Sequence, residues 1–197
     1  MKAGRHRTFD KEIALDQAME VFWINGYPGT SLSDLTQAMG INKPSLYSAF
    51  GNKEELYKTT LTRYVQKHGV IHTKHLYSAD KGLKERIGCY LTSIAEGLTD
   101  PKLPPGCFVS ISTSEIGGTC IPEEALQTIV NINEATKSSL TAFFTDEISA
   151  GTITSEHSPA SMAHYILTLM FGLSVMARNG AKLSELKKVI KFSIDKF

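Results

Sequence analysis

What most constrains this chain is its punctuation: nearly every polar break reads as the start or the stop of a helix. Asp10 precedes an apolar pattern that includes Ile13, Ala14, Ala18, Val21 and Phe22 at helical spacing, and Asn25-Gly26 closes it. Ser31-Leu-Ser-Asp34 is a capping box with Asp for the usual Glu; it opens a short helix carrying Leu35 and Met39, which Gly40 stops. Asn42, with Pro44 in the first turn, opens a second short helix through Leu46 and Tyr47 to Phe50. Asn52-Lys-Glu-Glu55 is another capping box and launches a long helix with Leu56, Leu61, Tyr64, Val65 and Ile71 at helical intervals.

The pattern continues to the end of the chain. Leu83, Ile87, Tyr90, Leu91, Ile94 and Leu98 form one stripe, and Asp100 to Gly106 is a breaker-rich loop. Residues 107–116 read as a short apolar helix. Pro122 starts a long one bearing Leu126, Ile129, Ile132, Leu140, Phe143 and Phe144, which ends near Gly151. Ser158-Pro159 opens a charge-free helix closed by Asn179-Gly180, and a last helix carries Leu183, Leu186, Val189, Ile190 and Ile194. With no sustained period-2 segment and no internal repeat, the expected fold class is all-α, with about nine helices. Hydrophobic residues at 42% and charged residues at 21% exclude collagen, a coiled-coil rod and wholesale disorder.

Charge is divided along the chain. The total is 21 Lys/Arg against 20 Asp/Glu, but residues 1–75 hold ten basic and seven acidic side chains and the remainder holds eleven and thirteen. Lys2, Arg5 and Arg7 stand ahead of the first helix with no acid among them, an electrostatic footprint for phosphate or a solvated tail. Three cysteines, Cys89, Cys107 and Cys120, are too few for a disulfide framework and form no CxxC pair. The polar N-terminus is unlike a secretory signal, so a cytoplasmic location is expected. His157 to Ala177 contains no Asp, Glu, Lys or Arg and is long enough to span a membrane. Its prolyl, histidyl and hydroxyl residues favour instead a buried helix or one at a subunit interface, and no membrane partner is expected.

The informative stretch is residues 26–57. Two short helices joined by Gly40-Ile-Asn-Lys43 have the geometry of a helix-turn-helix, whose second helix enters the major groove of DNA. Leu35, Ala38, Met39, Ile41, Leu46 and Phe50 would pack the unit. Lys43, Pro44, Ser45, Tyr47, Ser48 and Ala49 are left to face outward, where Lys, Tyr and Ser suit phosphates and base edges.

This unit resembles the DNA-binding domain of TetR-type (tetracycline-repressor-like) transcriptional regulators. The resemblance runs from Phe9 to about Tyr57. It includes Ala18, Phe22, Gly26-Tyr27, Gly29-Thr30-Ser31, Asp34-Leu35, Met39-Gly40, Leu46-Tyr47, Phe50 and Asn52-Lys53-Glu54-Glu55-Leu56. Pro105-Gly-Cys-Phe108 is similar to a Gly-Cys element that starts the sixth helix in many members. The resemblance implies a DNA-binding domain over 1–52 and a helical ligand-binding and dimerisation domain over 53–197. It implies a homodimer on a palindromic double-stranded operator, acting as a repressor and released by a small-molecule effector. It carries phosphate contacts to Thr30 or Ser31, to Tyr47 and to Lys53, and base contacts to Lys43, Pro44, Ser45 and Ser48, with Arg5 or Arg7 reaching a neighbouring groove or phosphate. Ser48 and Ala49 depart from the aromatic or His residues common at those positions, so direct base readout is expected to be sparser.

Within the C-terminal part, the charge-free helix is apolar nearly all round and must be covered, which a dimer interface with the last helix would achieve. By position alone, Tyr64, His68, Tyr90, Cys107, Phe108, Phe143 and Phe144 are candidates for the ligand pocket, with core packing as the alternative for each. His68, His72 and His75 are spaced i, i+4 and i+7, as metal ligands on a helix would be, but Gly69, Val70, Ile71 and Thr73 weaken that turn and no acid lies nearby; no metal and no cofactor are expected. Cys107 at the head of a short helix is either a thiol sensor or a buried small hydrophobe. No nucleophile elbow, Gly-rich phosphate loop or paired-acid motif is present, so no enzymatic activity is expected; a helical small-molecule-binding protein or enzyme is the competing reading.

Overall fold

The computed structural model describes residues 9–118, 121–153 and 156–195, which form helices joined by turns and loops, with no strand among them. The helices are α1 (Lys11–Asn25), α2 (Leu32–Met39), α3 (Lys43–Phe50), α4 (Lys53–Tyr64), α5 (Leu83–Leu98), α6 (Phe108–Ser114), α7 (Glu123–Ser149), α8 (Pro159–Arg178) and α9 (Leu183–Ile194).

The sequence caps act as caps. The Asp10 carboxylate accepts the N–H groups of Glu12 and Ile13 at 2.8 and 3.2 Å. Ser31 with Asp34, and Asn52 with Glu55, close reciprocal boxes that satisfy the otherwise orphaned first-turn donors of α2 and α4. Gly26 ends α1 at φ 70°, a conformation open to glycine, and a Cβ there would lie 2.0 Å from Glu115 Oε1.

Two expectations are corrected. Ile13 is 58% exposed; the buried face of α1 is Ala14, Leu15, Ala18, Met19, Phe22 and Trp23, a stripe rotated past Ile13. The long helix after Asn52 is regular only to Tyr64. Val65–Gly69 forms a π-turn and Val70–Tyr77 a 3-10 turn. Gly69 and the β-branched Val70, Ile71 and Thr73 lower helix preference here. Helix α5 then fixes the irregular path: His72 Nδ1 lies 2.8 Å from Ser93 Oγ, and Arg86 donates to the Leu76 carbonyl at 3.0 Å.

The apolar side chains gather into two cores. The first joins α1–α4 to α6 and the start of α7 through Phe22, Trp23, Leu35, Leu46, Tyr57, Phe108 and Ile129. The second joins α5, the rest of α7, α8 and α9 through Ile87, Leu91, Phe143, Phe144, Ile166 and Leu186. The position between residues 52 and 53 therefore falls inside one continuous core. Helix α8 is long and apolar enough to cross a membrane by length and composition, yet it packs against α5, α7 and α9. One side buries Met162, Ala163, Ile166, Leu173, Ser174 and Ala177, while Thr168, Gly172, Val175 and Met176 stay exposed; this chain alone does not cover the helix all round.

Candidate nucleic-acid interface and effector cavity

Helices α2 and α3 form the helix-turn-helix. Leu35, Met39 and Leu46 are buried and lock the two helices to α1. Asn42 accepts the Ser45 N–H at 2.9 Å, and Pro44 occupies a first-turn position where the missing N–H costs nothing. With Leu46 inward, the opposite side of α3 presents Lys43, Pro44, Tyr47 and Ser48 to the outside, with Ser45 partly covered. Tyr47 is 48% exposed. Lys43 and Tyr47 share one row of this face and Pro44 and Ser48 the next.

The neighbouring candidates are placed differently. Thr30 is a correction: it is buried, and its hydroxyl donates to the Gly26 carbonyl at 2.7 Å, so it shapes the turn after α1 and does not face outward. Ser31 is exposed beside it, with its oxygen accepting the Asp34 N–H at 3.1 Å. Lys53 is half-buried; its ammonium donates to the Tyr27 carbonyl at 2.7 Å and lies 4.1 Å from the centre of the Tyr27 ring. Burial lowers its pKa from the ordinary lysine value. Arg5 and Arg7 lie outside the described residues.

The positive balance of residues 1–75 does not belong to the DNA-facing unit. Residues 9–52 carry only Lys11 and Lys43 against Asp10, Glu12, Asp16, Glu20 and Asp34. Farther along, Lys58 pairs with Glu124 at 2.6 Å, Arg63 with Glu12 and Asp16, and Lys67 with Asp16 at 2.7 Å. Burial works against the Asp16 carboxylate, but the hydrogen bonds from Arg63 and Lys67 hold its pKa below the ordinary carboxylate value. These cations tie α4 and its extension to α1 and α7. Lys43, at the start of α3, is the basic side chain on the outward face of the recognition helix.

A cavity of about 570 Å³ lies along the seam between the two cores. Trp23 and Tyr64 reach it from the first core, and Leu76, Tyr90, Ile94, Leu98 and Leu140 from the second. Cys107 packs against both cores and lines the cavity, its N–H donating to Ser174 Oγ at 2.8 Å. The irregular segment after α4 forms one wall with His68 and His72, and its exposed Val70 and Ile71 line the cavity as well. Burial holds both imidazoles below the ordinary histidine pKa, pushes the Tyr64 phenol well up, and raises Tyr90 to about 12. Tyr64, His68, Tyr90 and Cys107 thus line the cavity. Phe108, Phe143 and Phe144 are corrections: all three are buried in the cores and none lines it. Phe108 meets Tyr57 and Tyr64 edge-on, and Phe143 packs between Tyr77 and Phe144. His68 rests against Trp23 and Tyr64, His72 against Ser93, and no set of three metal-ligating side chains converges among the described residues.

Sequence reasoning passed over Trp23, the one tryptophan of the chain. It sits on α1, yet its indole N–H donates to the Gly106 carbonyl at 3.2 Å, ahead of α6, and its ring forms cavity wall. The same end of α1 is gripped from α8. Arg178 donates to the carbonyls of Trp23 and Ile24 at 3.3 and 2.9 Å, where a cation suits the negative end of the helix dipole. Glu115, whose carboxyl pKa burial raises, faces the Tyr27 N–H at 3.4 Å. A residue on a DNA-binding helix gives no local sign that it faces a cavity shared with helices far along the chain.

A buried three-helix unit presenting one short, polar-faced helix, carried on a larger helical body with a cavity, defines a helix-turn-helix DNA-binding protein. Residues 14–60 match the family of bacterial regulatory proteins called the tetR family. Over 193 residues the chain is 31% identical to the HTH-type transcriptional repressor ComR of Escherichia coli (strain K12), covering 94% of this chain and 88% of ComR. It is 42% identical over 62 residues to the HTH-type transcriptional repressor BdcR of the same organism, covering 32% of each chain. Among solved structures, a cysteine mutant of the TetR family transcriptional regulator CifR, complexed with 26bp double-strand operator DNA, superposes with a TM-score of 0.89 at 30% identity. That match covers 98% of this chain and 100% of CifR. The chain belongs to the TetR family of transcriptional regulators.

Proposed function

We propose that the chain is a transcriptional repressor that binds a palindromic operator as a homodimer in the cytoplasm and lets go when a small molecule enters the cavity. The observation that carries this reading is the position of the cavity. It is walled by Trp23 of α1 and by the irregular continuation of α4, so an occupant sits at the joint between the helix-turn-helix and the body. Base edges are read by Lys43, Pro44, Ser45 and Ser48, and Tyr47 reaches phosphate with Ser31 and Lys53; Lys53 must loosen its hold on Tyr27 to do so. Arg5 and Arg7 add phosphate or groove contacts from the arm. The second subunit covers the side of α8 that bears Thr168, Gly172, Val175 and Met176.

Binding to the DNA upstream of the chain's own gene, titrated with salt, tests the reading. Tight, sequence-selective binding with a steep salt slope is expected, and equal affinity for random duplex at every salt concentration would overturn it. Tyr47→Ala removes a hydrogen bond to a charged phosphate and should weaken operator binding by about 1.5–3 kcal/mol per half-site without lowering the melting temperature. Val175→Arg should yield a monomer by light scattering and lose operator binding with it; a dimer of unchanged affinity would remove α8 from the interface.

A further inference from the structure

The cavity is built to refuse negative charge. Among the described residues that line it there is no Lys and no Arg, and the single acidic side chain is Asp100. One Asp100 oxygen accepts the Lys102 N–H at 2.9 Å. Asp100 follows the C-terminal end of α5, the negative end of the helix dipole. The two histidines of the wall bring no positive charge at neutral pH, because burial favours their uncharged forms.

Several of the other polar groups are already engaged with the protein. Thr136 donates to the Ile132 carbonyl at 2.9 Å, the Asn133 amide donates to Thr113 at 2.9 Å, and the Tyr90 hydroxyl faces Met170 Sδ at 3.6 Å. The remaining wall is aromatic and aliphatic, with Trp23, Tyr64, Tyr90 and Phe171 offering ring faces and edges. A carboxylate or phosphate inside would lose its water and find no cation, whereas an ammonium would find Asp100 and the electron-rich ring faces. A volume of about 570 Å³ is in the range of sites for drug-sized molecules.

We infer that the effector is a mostly apolar, aromatic molecule that carries no negative charge, and that Asp100 gives a singly cationic form the advantage over its neutral counterpart. This rests on the reading of the cavity as the effector site. It places carboxylated, sulfonated and phosphorylated metabolites outside the effector class.

The test uses the purified full chain at neutral pH. The neutral dye N-phenylnaphthylamine is bound first, and fluorescence of the single tryptophan, Trp23, reports occupancy of the cavity. Three competitors on one ring system are then compared: naphthylmethylammonium, naphthol and naphthoate. The expected order of displacement is ammonium, then naphthol, then naphthoate, with naphthoate at least about tenfold weaker than naphthol. Asp100→Asn should remove the advantage of the ammonium over naphthol and leave naphthol unchanged. Displacement by naphthoate as good as by naphthol, with the dye bound and Trp23 quenched, would overturn the charge class while leaving the cavity as the effector site. Failure of the dye to bind or to alter Trp23 emission would overturn the cavity reading and the class together.

Discussion

The two hydrophobic cores differ in what they hold together. The first does not stop at the DNA-binding helices: Phe108 and Val109 of α6 and Ala125 and Ile129 of α7 are packed into the same cluster as Phe22, Leu35 and Leu46. The second contains α5, α8 and α9, with no residue of α1–α4 among its buried members. The division that matters mechanically therefore runs along the seam between the cores, where Cys107 touches both and the cavity opens. An occupant of that seam would touch both packed bodies, one of which carries the recognition helix.

The largest expected effect separates the cores. Phe22 is fully buried, 5.0 Å between ring centres from Tyr57. Phe22→Ala should cost about 3–5 kcal/mol, by the lost burial and the cavity left behind. Hydrogen exchange should then quicken through α1–α4 and α6 and leave α9 protected; equal acceleration in α9 would make the two cores a single cooperative unit.

A smaller effect is expected where the bodies are tied together. Arg178→Met removes the two bonds to the α1 carbonyls, at an exposed site where such contacts contribute about 1 kcal/mol. Operator affinity should fall more than the melting temperature does, since the head loses alignment and not packing. Loss of both in proportion would mean that Arg178 serves stability alone.

The smallest effect is a pH dependence confined to the seam. His68 and His72 have pKa values below the ordinary histidine value in the folded state, so the unfolded chain takes up protons first. Their contribution to stability is complete above the ordinary histidine range and is lost as pH falls through and below it. Between about pH 7 and 5.5 the melting temperature should drop slightly, with exchange in residues 65–77 rising before that in α1 or α9. A His72→Gln variant should flatten the change; an unaltered slope would place the titrating groups elsewhere.

The ends of the helix-turn-helix were legible because their instructions are local. Ser31 and Asp34, Asn42 with Pro44, and Asn52 with Glu55 lie within a few residues of the helix ends they fix, and Leu46 sets which side of α3 turns outward. The cavity was only half legible, because its walls meet through tertiary packing. Tyr64, His68, Tyr90 and Cys107 face it, but Phe108, Phe143 and Phe144, no less aromatic, point into the cores instead. Trp23 escaped notice since it belongs to a DNA-binding helix, and the break after Tyr64 depends on α5, whose Ser93 and Arg86 capture the chain from a distance. Thr30 shows the opposite failure, a surface assignment undone by a bond to a carbonyl four residues back.

The hold of Arg178 on α1 carries one more consequence. Arg178 ends the same helix whose exposed side holds Gly172, Val175 and Met176, so in a two-fold pair each reading head hangs from the tip of the helix that crosses its twin. In the proposed dimer the crossing of the two α8 helices would work as a caliper. A small change in its opening would be magnified along the arm from α8 to α3, and the spacing of the operator half-sites would measure that angle.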